Sequence, residues 1–225
     1  MSSPQPVDEQ AIAPSRSRLR ESLEGFGSAL PAAILLAILI RVFVVQAFKI
    51  PSGSMLPTLQ IGDHILVNKF LYGARVEIPF TQISLGKLPG VRKPHTGDVV
   101  VFIYPRNRDQ DFIKRVVASE GQTVEMRNQQ IYIDGKRWDD PHGNFTYGQG
   151  GCSPYCADYG PYTVPAGHIF CMGDNRNQSY DSRFWGSVPM EDVKGMAMIT
   201  YWSWNDQTPT DKRWVRWERL GRLVY

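Results

Sequence analysis

Apolar and polar positions divide the chain near residue 49. From Phe26 to Phe48 only Ser28, Arg41 and Gln46 interrupt an apolar segment whose unbroken core, Ala29 to Ile40, is 12 residues long. A bilayer core asks for about 20 residues, so a span has to continue beyond that run, with Arg41 near an interface where its stem can snorkel. The pattern therefore predicts one membrane anchor over 26–48 behind a flexible tail over 1–25 whose first 15 residues are Pro/Ser/Gln-rich, the alternatives being a buried helix or a cleaved leader. Gln46-Ala47-Phe48-Lys49-Ile50-Pro51 offers no small-residue cleavage site, which disfavours a leader. Arg16, Arg18 and Arg20 place the amino terminus in the cytoplasm and residues 49–225 on the exported side.

Beyond residue 49 the period changes from helical to short and β-like. His64–Lys69, Asp98–Tyr104, Phe112–Ala118, Thr123–Met126, Gln130–Ile133, His168–Met172 and Lys194–Trp202 are β-rich runs bounded by Gly, Pro, Asp or Asn. Asn128–Gln130 and Asp134-Gly135 are turn signals. The expected fold is mainly β: an antiparallel catalytic domain with a small inserted β subdomain at about 121–167, preceded by one transmembrane helix. There is no internal repeat.

Charge narrows the partners. A net charge of +3 without a nucleic-acid motif argues for peptide and membrane partners and against nucleic acid. Near the carboxy terminus Trp202, Trp204, Trp214 and Trp217 alternate with Lys212, Arg213, Arg216 and Arg219, a mixture suited to lipid headgroups or, equally, to the core of terminal strands. Of the three cysteines, Cys152 and Cys156 enclose Ser-Pro-Tyr in a Gly-rich loop. An exported domain favours a disulfide between them; two free thiols are the alternative. Two thiolates fall short of a zinc set, so no metal and no cofactor is expected. Cys171 is left over.

Three segments carry chemistry. In Ile50-Pro51-Ser52-Gly53-Ser54-Met55-Leu56-Pro57-Thr58-Leu59 two prolines and a glycine stiffen the backbone around Ser54, although an ordinary turn at a membrane exit has the same composition. In Phe112-Ile113-Lys114-Arg115-Val116-Val117, strand alternation turns Lys114 to the side of Phe112 and Val116, where burial would lower its pKa from about 10.4 by roughly 2 to 3 units; most strand lysines are instead solvated. The segment Gly173 to Pro189 is dense in hydrogen-bonding side chains, and Asp181 and Arg183 can pair to brace it.

In this order, with Gly97-Asp98-Val99-Val100-Val101-Phe102 between the first two, these boxes resemble bacterial type I signal peptidase (leader peptidase) from about Arg41 to Arg222. The resemblance implies a serine endopeptidase of the plasma membrane that removes signal peptides from exported preproteins after small residues at −1 and −3. It implies Ser54 as nucleophile, Lys114 as general base, Ser52 with the Ser54 N–H as oxyanion hole, Ser179 orienting the lysine, and Asp181 with Arg183 in support. Phe48, Ile50, Met55, Leu59, Ile65 and Ile113 match positions that line the apolar substrate pockets. Two departures stand out: Asn177 where many members carry a second aspartate, and Cys171 where a methionine often packs.

The rival readings are weaker. Asp63 and His64 are neighbours on a strand and point to opposite faces, so they do not form a relay, and there is no nucleophile elbow or metallopeptidase helix motif. A non-catalytic anchored module has no reason to keep Ser54, Lys114 and Ser179 together. A self-cleaving repressor needs a DNA-binding amino-terminal domain, where this chain has an apolar segment. The sequons at Asn144 and Asn177 favour a bacterial membrane, since a glycan on Asn177 would enter the proposed site.

Overall fold

The computed structural model describes residues 16–77, 84–145, 157–205 and 214–225. Helix α1 (Arg16–Phe43) comes first. Strands β1 (Val45–Lys49), β2 (Asp63–Asn68), β3 (Arg75–Glu77), β4 (Ser84–Lys87), β5 (Val99–Ile103) and β6 (Asp111–Ser119) follow. Next are β7 (Thr123–Arg127), β8 (Gln130–Ile133), β9 (Lys136–Arg137), β10 (Tyr159–Thr163) and β11 (His168–Met172). A four-residue helix α2 (Ser182–Trp185), β12 (Val188–Pro189), β13 (Val193–Ser203) and β14 (Arg222–Leu223) complete the chain.

The segment read as an anchor ends differently from its expected bounds. Its last residues leave the helix and form β1, with Phe48 opposite Ile65 and Ala47 opposite Leu66 on β2. Val45-Gln46-Ala47-Phe48-Lys49, beside the strand edge of β2, gains ladder hydrogen bonds by extending. Among the described residues no helix is long and apolar enough to cross a membrane; the side chains of residues 16–28, where the expected span begins, lie outside the description.

The chain is mainly antiparallel β. Its largest sheet has eight strands in the order β1-β2-β13-β5-β6-β11-β12, with β14 on β13. β5 is buried at all five positions because apolar clusters cover both faces. Val99 and Val101 pack with Ile50, Met55, Leu59 and Ile65. Val100 and Phe102 pack with Val116, Ile169 and Trp185. β2 and most of β13 alternate inward and outward, as strands with one covered face do. A second sheet, β10-β7-β8-β9, runs within 123–163 and has its own core around Val124, Met126 and Ile131. β3 and β4 form a separate hairpin. Cys152 and Cys156 lie outside the described residues; Cys171 is a free, buried thiol in β11.

Candidate active site

The nucleophile candidate sits on a 3-10 turn, Gly53–Met55, whose close is the hydrogen bond from Leu56 N to Gly53 O. Met55 and Leu59 anchor this turn by burying their side chains in the cluster beneath it, which leaves Ser54 at the surface of that core with 8 % of its area exposed. Among the described residues no acceptor takes the Ser54 N–H.

Lys114 reaches the same point from the middle of β6. It pairs with Val100 in register, and its side chain is 4 % exposed. Lys114 Nζ lies 2.6 Å from Ser54 Oγ, and no carboxylate pairs with the amine among the described residues. Burial lowers the Lys114 pKa to about 8, offset only in part by the more distant charges of Asp181 and Asp174. Near pH 8 a substantial fraction is therefore neutral amine, able to accept the Ser54 proton.

Ser52 Oγ is 3.5 Å from Ser54 Oγ. Both line an open cavity of about 380 Å³ whose other walls include Ile113, Lys114, Gln178 and Tyr180. The implied substrate residues divide. Ile113 lines this cavity, whereas Ile50, Met55, Leu59 and Ile65 are core residues under the turn, and Phe48 packs at the edge of that core.

The third segment brackets the turn from the other side. Gly173 approaches so closely that a Cβ there would stand 2.4 Å from Ser54 O and 2.3 Å from Ser179 Oγ, so only glycine fits without a shift. Its N–H donates to Ser179 Oγ at 3.2 Å and to Asp181 at 3.1 Å. The hydrogen bond that holds the Ser179 hydroxyl comes from Gly173 N–H, and no hydrogen bond joins Ser179 to Lys114, so any influence on the amine runs through packing. Arg183 grips Asp181 with Nε and Nη2 at 2.9 and 2.8 Å, both side chains fully buried. Burial alone would raise the Asp181 carboxyl, but the Arg183 charge, the hydrogen bonds from Arg183 and Gly173 and the polar Ser179 side chain beside it hold it below the usual range.

Sequence reasoning missed a second buried pair. Arg115 points away from Lys114 and binds Asp174 through Nε and Nη2 at 2.8 and 2.7 Å. Asp174 also accepts from Thr58 at 2.5 Å, so one carboxylate ties β6 to the loop after Ser54. Asp174 and Asn175 were visible as members of a polar box, but the side-chain partners that tie them to the Ser54 region, Arg115, Thr58 and Gly53, lie more than 50 residues away. The carboxy-terminal arginines were read for lipid, and the structure gives them another task. Arg219 is buried and binds Asp63 and Thr58 O. Arg216 bonds Gln60, Ser203 and Trp204 O, because these donors are needed by buried oxygens of the 58–63 loop and its neighbours. Asp63 is thereby engaged by Arg219 and Ser203 and is not available as the orienting partner of a histidine base. No cluster of metal-ligating side chains exists among the described residues.

A serine hydroxyl hydrogen-bonded to a buried amine of lowered pKa is the equipment of a hydrolase that works without histidine. The family model for signal peptidase, peptidase S26, matches residues 23–202, and the chain belongs to that family. It is 34% identical over 212 residues to a signal peptidase I of Pseudomonas aeruginosa, covering 80% of this chain and 73% of that one. It is likewise 34% identical over 227 residues to a signal peptidase I of Aquifex aeolicus, covering 76% and 81%. A thylakoidal processing peptidase 1 of Arabidopsis thaliana is 32% identical over 180 residues, covering 76% of this chain and 46% of its own. A solved signal peptidase I from Enterococcus faecalis aligns with 48% of this chain and 98% of its own at 31% identity, with a TM-score of 0.40.

Proposed function

We propose that the protein is a membrane-bound endopeptidase that removes amino-terminal signal peptides from exported preproteins by acyl-enzyme chemistry at Ser54. The observation that carries this reading is the 2.6 Å contact between Ser54 Oγ and the buried Lys114 amine. Ser54 Oγ attacks the carbonyl carbon of the scissile bond while neutral Lys114 takes the hydroxyl proton. The resulting ammonium protonates the departing amine, and the acyl ester is released by water activated by the same lysine. The Ser54 N–H and the Ser52 hydroxyl receive the negative charge that develops on the carbonyl oxygen.

Family membership and the names of the relatives support signal peptides as substrates. The apolar stretch over 26–48 supports an anchor in a bacterial plasma membrane with the catalytic domain exported. Small residues at −1 and −3 are the occupants we assign to the cleft beside Ile113, backed by the apolar core of Ile50, Met55, Leu59 and Ile65 with Phe48 at its edge. Turnover of a preprotein ending its signal in Ala-x-Ala, by wild type, Ser54→Ala, Lys114→Met and the double variant, tests the assignment. Each single variant should lose cleavage, and the double variant should lose no more, because the two groups act as one unit. Appreciable cleavage by either single variant overturns it.

A further inference from the structure

The side chain of Asn175 is fully buried beside the nucleophile turn and takes no part in the chemistry above. Its Nδ2 donates to Gly53 O at 3.1 Å, and its backbone N–H donates to Ser54 O at 3.1 Å. Asn175 thus holds the carbonyls of the two peptide units that flank the Ser54 Cα. The first of these matters for catalysis. Gly53 C=O and Ser54 N–H belong to one planar trans peptide group, so they point in opposite directions, and a grip on the oxygen sets the aim of the N–H. Gly53 O accepts a second bond, from Leu56 N at 3.2 Å, but that bond lies within the same short turn and moves with it. Among the described residues, Asn175 alone references the peptide to a different segment of the chain.

The Asn175 amide is a costly way to fill space. Its Oδ1 is buried without a partner among the described residues, a state that disfavours folding. The rest of the amide's hydrogen bonding is a 3.5 Å contact from Nδ2 to Gln178 Oε1. The donor bond to Gly53 O is what an apolar residue of the same shape would lack.

We propose that Asn175 is a positioning residue for the oxyanion site: its side-chain amide, by holding the Gly53 carbonyl, aims the Ser54 N–H at the oxygen of the scissile bond. This rests on the reading of Ser54 as nucleophile and oxyanion donor.

Asn175→Leu keeps the branched shape, removes the donor and removes the unpartnered oxygen, while Gly53 O retains its bond from Leu56. In the full chain with a preprotein substrate, kcat should fall about 10- to 100-fold, less than the 10²- to 10³-fold typical of deleting an oxyanion donor outright. KM should stay within about twofold, since the bond strengthens only as charge develops. The thermal midpoint and the alkaline pH limb of kcat/KM should not move. Combined with Ser52→Ala, the loss should be smaller than the product of the single losses, because both act on one oxygen. If Asn175→Leu does not fold, Asn175→Ala is read by the same four measurements. Wild-type kcat in a folded variant overturns the proposal, as does a loss that comes with a moved pH limb or a matching fall in thermal midpoint. Activity in Ser54→Ala overturns the underlying reading and this one with it; an inactive Ser54→Ala beside a fully active Asn175→Leu overturns this one alone.

Discussion

Lys114 Nζ and Ser54 Oγ meet at 2.6 Å although 60 residues separate them in the chain. The contact exists because β6 and the turn after β1 pack against one another, and because Lys114 is held where no carboxylate pairs with it. Asp181, the strongest opposing charge, is already committed to Arg183. Burial therefore dominates, and the amine carries its proton weakly.

The pH–rate profile follows from that. If Lys114 is the base proposed above, kcat/KM for a preprotein peptide should rise with pH along a single limb whose midpoint lies near 8, the value to which burial lowers Lys114. A limb near pH 6 would instead indicate a histidine base.

The same burial makes Lys114 a stability cost of known sign. Folding lowers its pKa from the ordinary lysine value to about 8, so the unfolded chain binds more protons throughout that interval. Stability contributed by this residue is lowest below about pH 8 and recovers as pH rises toward the ordinary lysine range. Lys114→Met removes a penalty of about 3 kcal/mol near pH 7 and forfeits a hydrogen bond worth about 1 kcal/mol. Denaturant melts should show the variant more stable than wild type at neutral pH by about 2 kcal/mol, with the advantage gone by about pH 10. A variant less stable than wild type at neutral pH would contradict this account.

Ser52 should behave as a donor that matters only in the transition state. Ser52→Ala is expected to lower kcat by about 10²- to 10³-fold with KM little changed, and Ser52→Thr to recover part of the loss through its hydroxyl. Equal kcat in wild type and Ser52→Ala would leave Ser52 a structural residue of the turn.

Exposed aromatic residues make a membrane prediction. Trp214 and Trp217 are 70% and 69% exposed, and the Trp217 ring packs edge-on against Trp202. Such large apolar surfaces at the end of a sheet suit a headgroup interface, and they rule out a core role for these two side chains. A chain beginning at Arg41, which keeps β1, should bind phospholipid vesicles, and Trp214→Ala with Trp217→Ala should weaken that binding by about tenfold or more. Unchanged binding by the double variant would remove these tryptophans from the membrane surface.

The period of the chain was enough to find most of the strands beyond residue 49, because alternation such as that of Ile65 and Val67 is written locally. It misplaced the end of the apolar segment, since Val45 to Phe48 are as hydrophobic in a strand as in a helix and only the open edge of β2 decides between them. Ser54, Lys114 and the polar box from Gly173 were visible as types and spacings. Their meeting was not, nor was the engagement of Ser179 by Gly173 rather than by Lys114.

By itself the sequence determined that the chain is mainly β, that an apolar segment precedes it, and that a serine, a lysine and a polar box stand in the order that marks the peptidase S26 family. Local patterning and composition encode those properties. Tertiary structure alone decided that Arg115 binds Asp174, that Arg219 binds Asp63, that Asn175 grips the Ser54 turn, and that Lys114 is dry enough to lose its proton near pH 8. A hydrogen-bond partner and a local dielectric depend on what the fold brings alongside a residue, and neither is carried by the residue or its neighbours in sequence.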